Sequence, residues 1–349
     1  MLTDLEHCRL DVEDAYADVE EARLVEHCRT ISAGASPDMV RLMDEPLPIL
    51  YFDHPLPDAY RDLVEGRAIV VGPDDAELGT AHAVLAGAKR AWNAEAFALG
   101  PAMKVISRIG IGYDNVDVAA ANAAGVIVCN APDAPSVSTA EHTLMLMLAI
   151  VKNLPAQIER ARQGVAGATT GAALELDGSV LGLVGYGRIA RRVGLAATAL
   201  GMSVLAYDPY LTEADGCELV DLARVYAKSD VISLHAPAVA ETRHMVNATS
   251  LAAMKHGVYL VNCARGGLVD QEALLEALDS GQVAGAALDV TDPEPLPEGH
   301  PLLQHPNVIV TPHVASATVA GRRRLYSHAI DNALNVLAGL PATIVAAPL

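Results

Sequence analysis

Thirty residues, 179–208, constrain this chain more than any others: SVLGLVGYGRIARRVGLAATALGMSVLAYD. An apolar run at 180–184 leads into a tight turn at Gly185, Tyr186 and Gly187. A helix-compatible segment follows to about Leu200, and a second apolar run at 202–207 ends on Asp208. Strand, glycine turn, helix, strand and acid are the parts a dinucleotide site needs. The first glycine makes the turn, and the second lets backbone approach a pyrophosphate. Ala190, the small third residue, lets the helix pack on the strand. The helix N-terminus, with Arg188 and Ile189 in its first turn, presents free N–H groups and a positive dipole end to phosphates. Asp208 lies 21 residues after Gly187, the distance at which an acid grips a ribose 2′-OH. An ordinary βαβ turn needs glycine for backbone reasons alone. The flanking strands and the terminal acid set this one apart.

A chain of 349 residues is expected to form two domains. With 52% hydrophobic and 19% charged residues it can fill a large core and does not read as disordered. The net charge of −19 argues against nucleic acid or an anionic membrane as partner. The one dense basic cluster, Arg322, Arg323 and Arg324, reads mainly as a solvated helix face. An anionic substrate must then be held by local groups rather than by a global field. Five cysteines without a CxxC point to reduced thiols and a cytoplasmic setting. No secretory signal is expected, and the apolar run at 144–151 is far too short to span a bilayer.

Residues 1–46 stand outside the pattern. Segment 2–28 is acidic, helix-compatible, and repeats Glu-His-Cys-Arg at 6–9 and 26–29. His7, Cys8, His27 and Cys28 raise a zinc site, but adjacent His-Cys is not a chelating spacing. An appended helical arm is expected instead, and no metal. From residue 48, short strands (49–52, 68–71, 89–92, 104–107, 126–129) alternate with helices (58–65, 76–85, 116–124), the pattern of a parallel α/β sheet. A longer helix at 135–152, capped by Ser136 or Ser138, connects to the nucleotide unit and carries His142, read as a packing or capping histidine. Further strands are expected at 231–234, 258–262, 285–288 and 308–310. The 36 residues after His313 read as a helix at 317–337 and a tail, expected to return to the first unit. The expected fold is α/β, with two doubly wound parallel-sheet domains. A Rossmann-type nucleotide domain (131–316) is inserted in a discontinuous flavodoxin-like substrate domain (47–130 and 317–349), preceded by the extension 1–46.

Polar residues gather at the C-terminal ends of these strands, where open α/β sheets bind ligands. Loop 108–114, RIGIGYD, exposes backbone N–H groups suited to a carboxylate. His235 and Pro237 follow one strand, Arg265 another, Asp289 a third and His313 a fourth. Arginine offers a planar fork for carboxylate and carbonyl oxygens. Histidine exchanges a proton near neutral pH. Glu294, in Asp-Pro-Glu-Pro, would favour the charged ring and fix its tautomer. With a nicotinamide supplying hydride, Arg265 and protonated His313 would polarise a carbonyl, and His313 would deliver the proton to oxygen.

The motifs GYGRIA (185–190), VNCARGGLVD (261–270), ALDVTDPEPLP (287–297) and TPHVASAT (311–318) resemble those of the D-isomer-specific 2-hydroxyacid dehydrogenase family. The resemblance runs from about residue 48 to the end. It implies NAD as cofactor, a small 2-keto or 2-hydroxy acid as substrate, and a homodimer. It implies Arg265, Glu294 and His313 as the catalytic set, and backbone at Ile111 and Gly112 for the substrate carboxylate. For the cofactor it implies Arg188 and Ile189 at the pyrophosphate and Asp208 at the adenosine ribose. His235, Pro237 and Thr242 would lie near ribose and phosphates, and Cys263, Ala264 and Asp289 near the nicotinamide. The stretch from Ser316 to Arg322 resembles the glyoxylate and hydroxypyruvate reductase branch, with Arg322 toward the substrate. Ala-Glu-His-Thr at 140–143 instead resembles many phosphoglycerate dehydrogenases. Thr291 replaces the usual bulky aromatic after Asp-Val. Relatives of this fold also serve as NAD(H)-sensing corepressors, which keeps a binding role as the alternative to an enzyme.

Overall fold

The computed structural model describes residues 46–167 and 173–348. The expected N-terminal arm, with His7, Cys8, His27 and Cys28, lies outside the described residues.

Alternation of short apolar runs and helices builds two sheets. The first half supplies β1 (Ile49–Phe52), β2 (Ile69–Val71), β3 (Ala83–Ala86), α1 (Ala94–Ala98), β4 (Val105–Arg108), α2 (Val118–Ala123) and β5 (Ile127–Cys129). Then come α3 (Ser136–Val151) and α4 (Leu154–Arg162), followed by β6 (Val180–Val184), α5 (Arg188–Ala199), β7 (Ser203–Tyr207) and β8 (Glu218–Leu219). The chain continues through α6 (Leu222–Lys228), β9 (Val231–Leu234), α7 (Ala248–Ala252), β10 (Val258–Asn262), α8 (Gln271–Asp279) and β11 (Val283–Leu288). It ends in α9 (Pro301–Gln304), β12 (Val308–Val310), α10 (Val319–Leu337) and β13 (Ile344–Ala346).

The first sheet has the order β13-β5-β4-β3-β1-β2 and is parallel except for β13, which runs antiparallel to β5. The second has the order β12-β11-β10-β9-β6-β7-β8, with every pair parallel. Strand order reverses beside β1 in the first sheet and beside β6 in the second. Such switch points open a crevice at the carboxyl ends of the strands. This is the α/β architecture expected, with the nucleotide unit inserted between two parts of the first sheet. β3 and β4 are buried at every residue, as strands covered on both faces must be. Met147, Ile150 and Val151 of α3 share a core with Leu181, Leu183 and Val193 of the second sheet and α5. Tyr326, Ala329, Ile330 and Ala333 of α10 share one with Leu50, Phe52, Leu85 and Val105 of the first.

Some local expectations fail. Residues 76–85 form a 3-10 turn (Asp75–Thr80) and then β3, because Ala83–Ala86 lies between two strands and alanine's helix preference yields to that setting. Residues 89–92 make no strand. Trp92 is fully buried and only bridges Val116, while Arg90 stacks over its ring at 4.5 Å and pairs with Asp75. Residues 58–65 form a 3-10 helix (Asp58–Leu63) rather than an α-helix. Neither Ser136 nor Ser138 caps α3. Pro135 precedes the helix without a side-chain cap, and Ser138 Oγ shares a 2.7 Å hydrogen bond with Thr318 Oγ1.

The return of the C-terminus depends on Asn332, which is 3% exposed. Its Nδ2 donates to Asn130 O at 2.9 Å, and its Oδ1 accepts from Thr343 N at 2.8 Å. One amide thus ties α10, the end of β5 and the approach to β13. Asn332→Ala leaves both backbone groups unpaired and should cost about 2–4 kcal/mol. Urea denaturation should show a lowered midpoint, and an unchanged midpoint would contradict this role.

Candidate active site

At the end of β6, Gly185 has φ +88°, and a Cβ there would sit 2.9 Å from the His235 carbonyl carbon and oxygen. Only glycine fits, in conformation and in space. Nothing lies within 4 Å of where a Cβ of Gly187 would stand, so that side of the turn is open. α5 begins at Arg188 with no side-chain cap, and the N–H groups of Arg188, Ile189 and Ala190 have no acceptor among the described residues. Asp208 grips the turn from the end of β7. Its Oδ2 accepts from Tyr186 N at 2.9 Å and its Oδ1 from Tyr210 N at 3.0 Å. Arg188 reaches away from the helix to pair with Asp133. These features fit a dinucleotide: a backbone cradle, an uncapped helix end and a fixed carboxylate with lone pairs to spare.

His235 closes the neighbouring strand end. Burial holds its imidazole down to about 4, so the ring is neutral at physiological pH, and its Nε2 lies 3.0 Å from Ser233 Oγ. Thr242 Oγ1 donates to Pro237 O at 2.6 Å and accepts from Val239 N at 2.9 Å, which folds 237–242 on itself. Burial pushes the Cys263 thiol up to about 12, which leaves it a neutral space-filler. Asn262, buried, accepts from Ala264 N at 3.0 Å and donates to Arg265 O at 2.8 Å, shaping the turn from which Arg265 projects.

Arg265 crosses to the first sheet. Its Nε donates to Asp114 Oδ2 at 3.0 Å, and a Cβ at Gly112 would lie 1.7 Å from its Nη2. Gly112 therefore leaves the space that lets this guanidinium reach the 109–112 loop. Two strands along the second sheet, roughly 10 Å at strand spacing, His313 Nδ1 lies 2.6 Å from Glu294 Oε1. Both side chains are partly exposed, and His313 Nε2 has no partner among the described residues. His313 has φ +53°, an unusual value for a residue with a side chain.

The buried carboxylate of Asp289 holds that conformation in place. It accepts from Thr311 Oγ1 at 2.5 Å, Val314 N at 3.0 Å and Ala315 N at 2.9 Å, while His313 N donates to Asp289 O at 2.9 Å. His142 Nε2 joins the cluster, 3.3 Å from Asp289 and 3.1 Å from Thr311. His142 thus packs with a hydrogen bond to the loop that carries His313. Its position on α3, far from 289 and 311 in the chain, hid this. Arg322 is exposed on α10 without a hydrogen bond or ion pair from its side chain among the described residues, while Arg323 pairs with Asp62 and Arg324 donates to Ala134 O. A second network escaped sequence reasoning altogether. His54 lies 2.7 Å from both Asp53 Oδ1 and Tyr326 OH, at the switch point of the first sheet. His54 and Tyr326 are 272 residues apart, and no local signal joins them.

A family model described as D-isomer specific 2-hydroxyacid dehydrogenase, NAD binding domain, matches residues 144–315. The sequence is 43% identical over 242 residues to the D-3-phosphoglycerate dehydrogenase of Methanocaldococcus jannaschii, covering 68% of this chain and 46% of that protein. The chain spans about half the length of the curated relatives it matches. Among solved structures, the TT0316 protein of Thermus thermophilus is similar with a TM-score of 0.78 and 36% identity, over 86% of this chain and all of that one. A glyoxylate reductase from Paecilomyes thermophila is similar with a TM-score of 0.79 and 28% identity, over 86% of this chain and 99% of that one.

The carboxylate at the end of β7 should repel a 2′-phosphate, and no arginine follows it in Pro209-Tyr210. Asp208→Ala should therefore raise kcat/KM with NADPH relative to NADH by about tenfold or more. An unchanged ratio would contradict the placement of Asp208 at the ribose.

Proposed function

The chain belongs to the D-isomer specific 2-hydroxyacid dehydrogenases, and we propose that it interconverts a D-2-hydroxy acid and its 2-keto acid. NAD is the cofactor of the nucleotide-binding unit. The observation that carries the reading is the meeting of Arg265 with the Gly112 loop, on the same sheet edge as the His313–Glu294 pair.

The amides of Ile111 and Gly112 bind the substrate carboxylate. Arg265 polarises the carbonyl oxygen with one arm of its fork while Asp114 fixes the other side. Protonated His313 donates from Nε2 to the developing alkoxide, and as neutral base it takes the proton back in the oxidation. Glu294 orients the ring through Nδ1 and fixes its tautomer. Bound NAD(H) supplies or accepts the hydride. Gly185, Gly187, Arg188 and Ile189 would hold its pyrophosphate and Asp208 its ribose, with His235, Pro237 and Thr242 beside them. Cys263 and Ala264 would face the nicotinamide. Asp289 adds to that end mainly by fixing the loop that carries His313.

The substrate tail would extend from the 109–112 loop past Gly87 toward His54 and Arg322, the side on which the strand order of the first sheet reverses. The proposed domains are 47–130 with 317–349, and 131–316. No described helix is long and apolar enough to cross a membrane. A cytoplasmic homodimer is proposed. Met145, Leu148, Leu154, Ile158 and Val165 are exposed on and just after α3 and α4, an apolar face that a second copy would cover.

An NADH-oxidation screen over glyoxylate, hydroxypyruvate, pyruvate, phenylpyruvate and 3-phosphohydroxypyruvate tests the reading. Rapid turnover with at least one supports it, whereas tight NADH binding without turnover of any would point to a sensor. Glu294→Gln keeps a hydrogen bond to His313 but removes the carboxylate that fixes its tautomer. kcat/KM for keto-acid reduction should fall by about tenfold or more. An unchanged kcat/KM would contradict the pairing.

A further inference from the structure

Arg108, the last residue of β4, is only 5% exposed. Its Nε donates to Gly112 O at 2.8 Å, and its Nη1 donates to Ala86 O at the end of β3. One guanidinium thus spans from the neighbouring strand to the loop that precedes the Arg265 contact. Three consecutive carbonyls of that loop are held from the protein side. Gly110 O accepts from Ala131 N at 2.9 Å, Ile111 O from Asn130 Nδ2 at 2.8 Å and Gly112 O from Arg108 Nε. In a trans peptide the N–H points opposite to the C=O of the same unit. Anchoring these three carbonyls therefore turns the N–H groups of Ile111, Gly112 and Tyr113 the other way. None of the three has an acceptor among the described residues.

We infer that Arg108 is a positioning residue for the substrate carboxylate: it pins the Gly112–Tyr113 peptide, aims a third amide donor at the anion, and sets a buried positive charge behind the loop. The inference rests on the dehydrogenase reading and extends it to a residue that does not touch the substrate. Burial lowers the Arg108 guanidinium to about 10, so it remains charged at neutral pH. The Asp53 carboxylate supports that charge, itself fixed by Gly87 N at 2.8 Å, by His54 Nδ1 at 2.7 Å and by Trp92 Nε1 at 3.3 Å. Asp114 adds to the support, and Arg265 opposes it. Two cations near one loop are tolerable when an anion is to be bound there, and the substrate carboxylate would relieve their repulsion. A lysine would keep the charge but could not bridge Ala86 O and Gly112 O as a planar fork does.

The test compares the full-length wild type with Arg108→Lys and Arg108→Met. It measures KM and kcat with the best 2-keto acid, Kd for NADH, Kd for oxamate on the NADH-bound protein, and Tm. Arg108→Met should raise the keto-acid KM and the oxamate Kd by about tenfold or more. The same variant should change kcat by less than about threefold and NADH Kd by less than about twofold, since the reacting groups and the nucleotide site are untouched. Arg108→Lys should recover part of the loss. A keto-acid KM within about twofold of wild type in Arg108→Met would overturn the inference, as would NADH Kd and keto-acid KM rising together with a fall in Tm. If Arg108→Met does not fold, Arg108→Lys decides. A raised KM at unchanged NADH affinity supports the inference, and an unchanged KM overturns it. A wild type that reduces no 2-keto acid and binds no oxamate overturns the dehydrogenase reading itself.

Discussion

Arg265 occupies the space that a side chain at residue 112 would fill, and the two halves of the site depend on that contact. The arginine comes from the second sheet and the glycine from the first. A methyl group at 112 would collide with the guanidinium, so Arg265 could not hold this position against the loop. Asp114 fixes the guanidinium from the first sheet, and Asn262 sets the turn from which it leaves the second. The cleft is therefore more than a gap between two domains. A cation is held across it, close to a loop whose outward amides lack acceptors among the described residues.

The second sheet holds the His313–Glu294 pair with comparable care. A buried carboxylate normally needs several hydrogen bonds or a cation to be tolerated. Asp289 receives hydrogen bonds from Thr311, Val314 and Ala315, with the His142 ring 3.3 Å away. The same bonds hold the backbone that carries His313 in its left-handed conformation. Strain of this kind persists only where the surroundings over-determine it, which is common where function requires a fixed side chain. Glu294 and the open Nε2 then give the imidazole one occupied and one available nitrogen.

What was legible in the sequence was what the chain encodes locally. The glycine turn of 185–187, the acid at 208 and the polar residues at strand ends all follow from short apolar runs and their punctuation. The return of the C-terminus to the first sheet followed from the few residues left after His313. Tertiary context decided the rest. Ala83–Ala86 is a strand because it lies between β1 and β4, although its alanines favour helix. Residues 89–92 lose their strand to Trp92, whose burial takes precedence over alternation. Arg108 was visible as a residue, but its task depends on Ala86, Gly112 and Asp53 meeting in space. His142, Asp289 and Thr311 likewise come from three separate elements. Such networks have no period or spacing in the chain to reveal them.

The central claim is that one substrate bridges the amide loop of the first sheet and the Arg265 and His313 groups of the second. A crystal structure of the protein with NADH and oxamate tests it most directly. The account predicts the oxamate carboxylate within hydrogen-bond distance of the Ile111 and Gly112 N–H groups, and its oxo oxygen between Arg265 and His313 Nε2. Oxamate seated away from the 109–112 loop, or held by that loop with its oxo oxygen turned from both side chains, would contradict it.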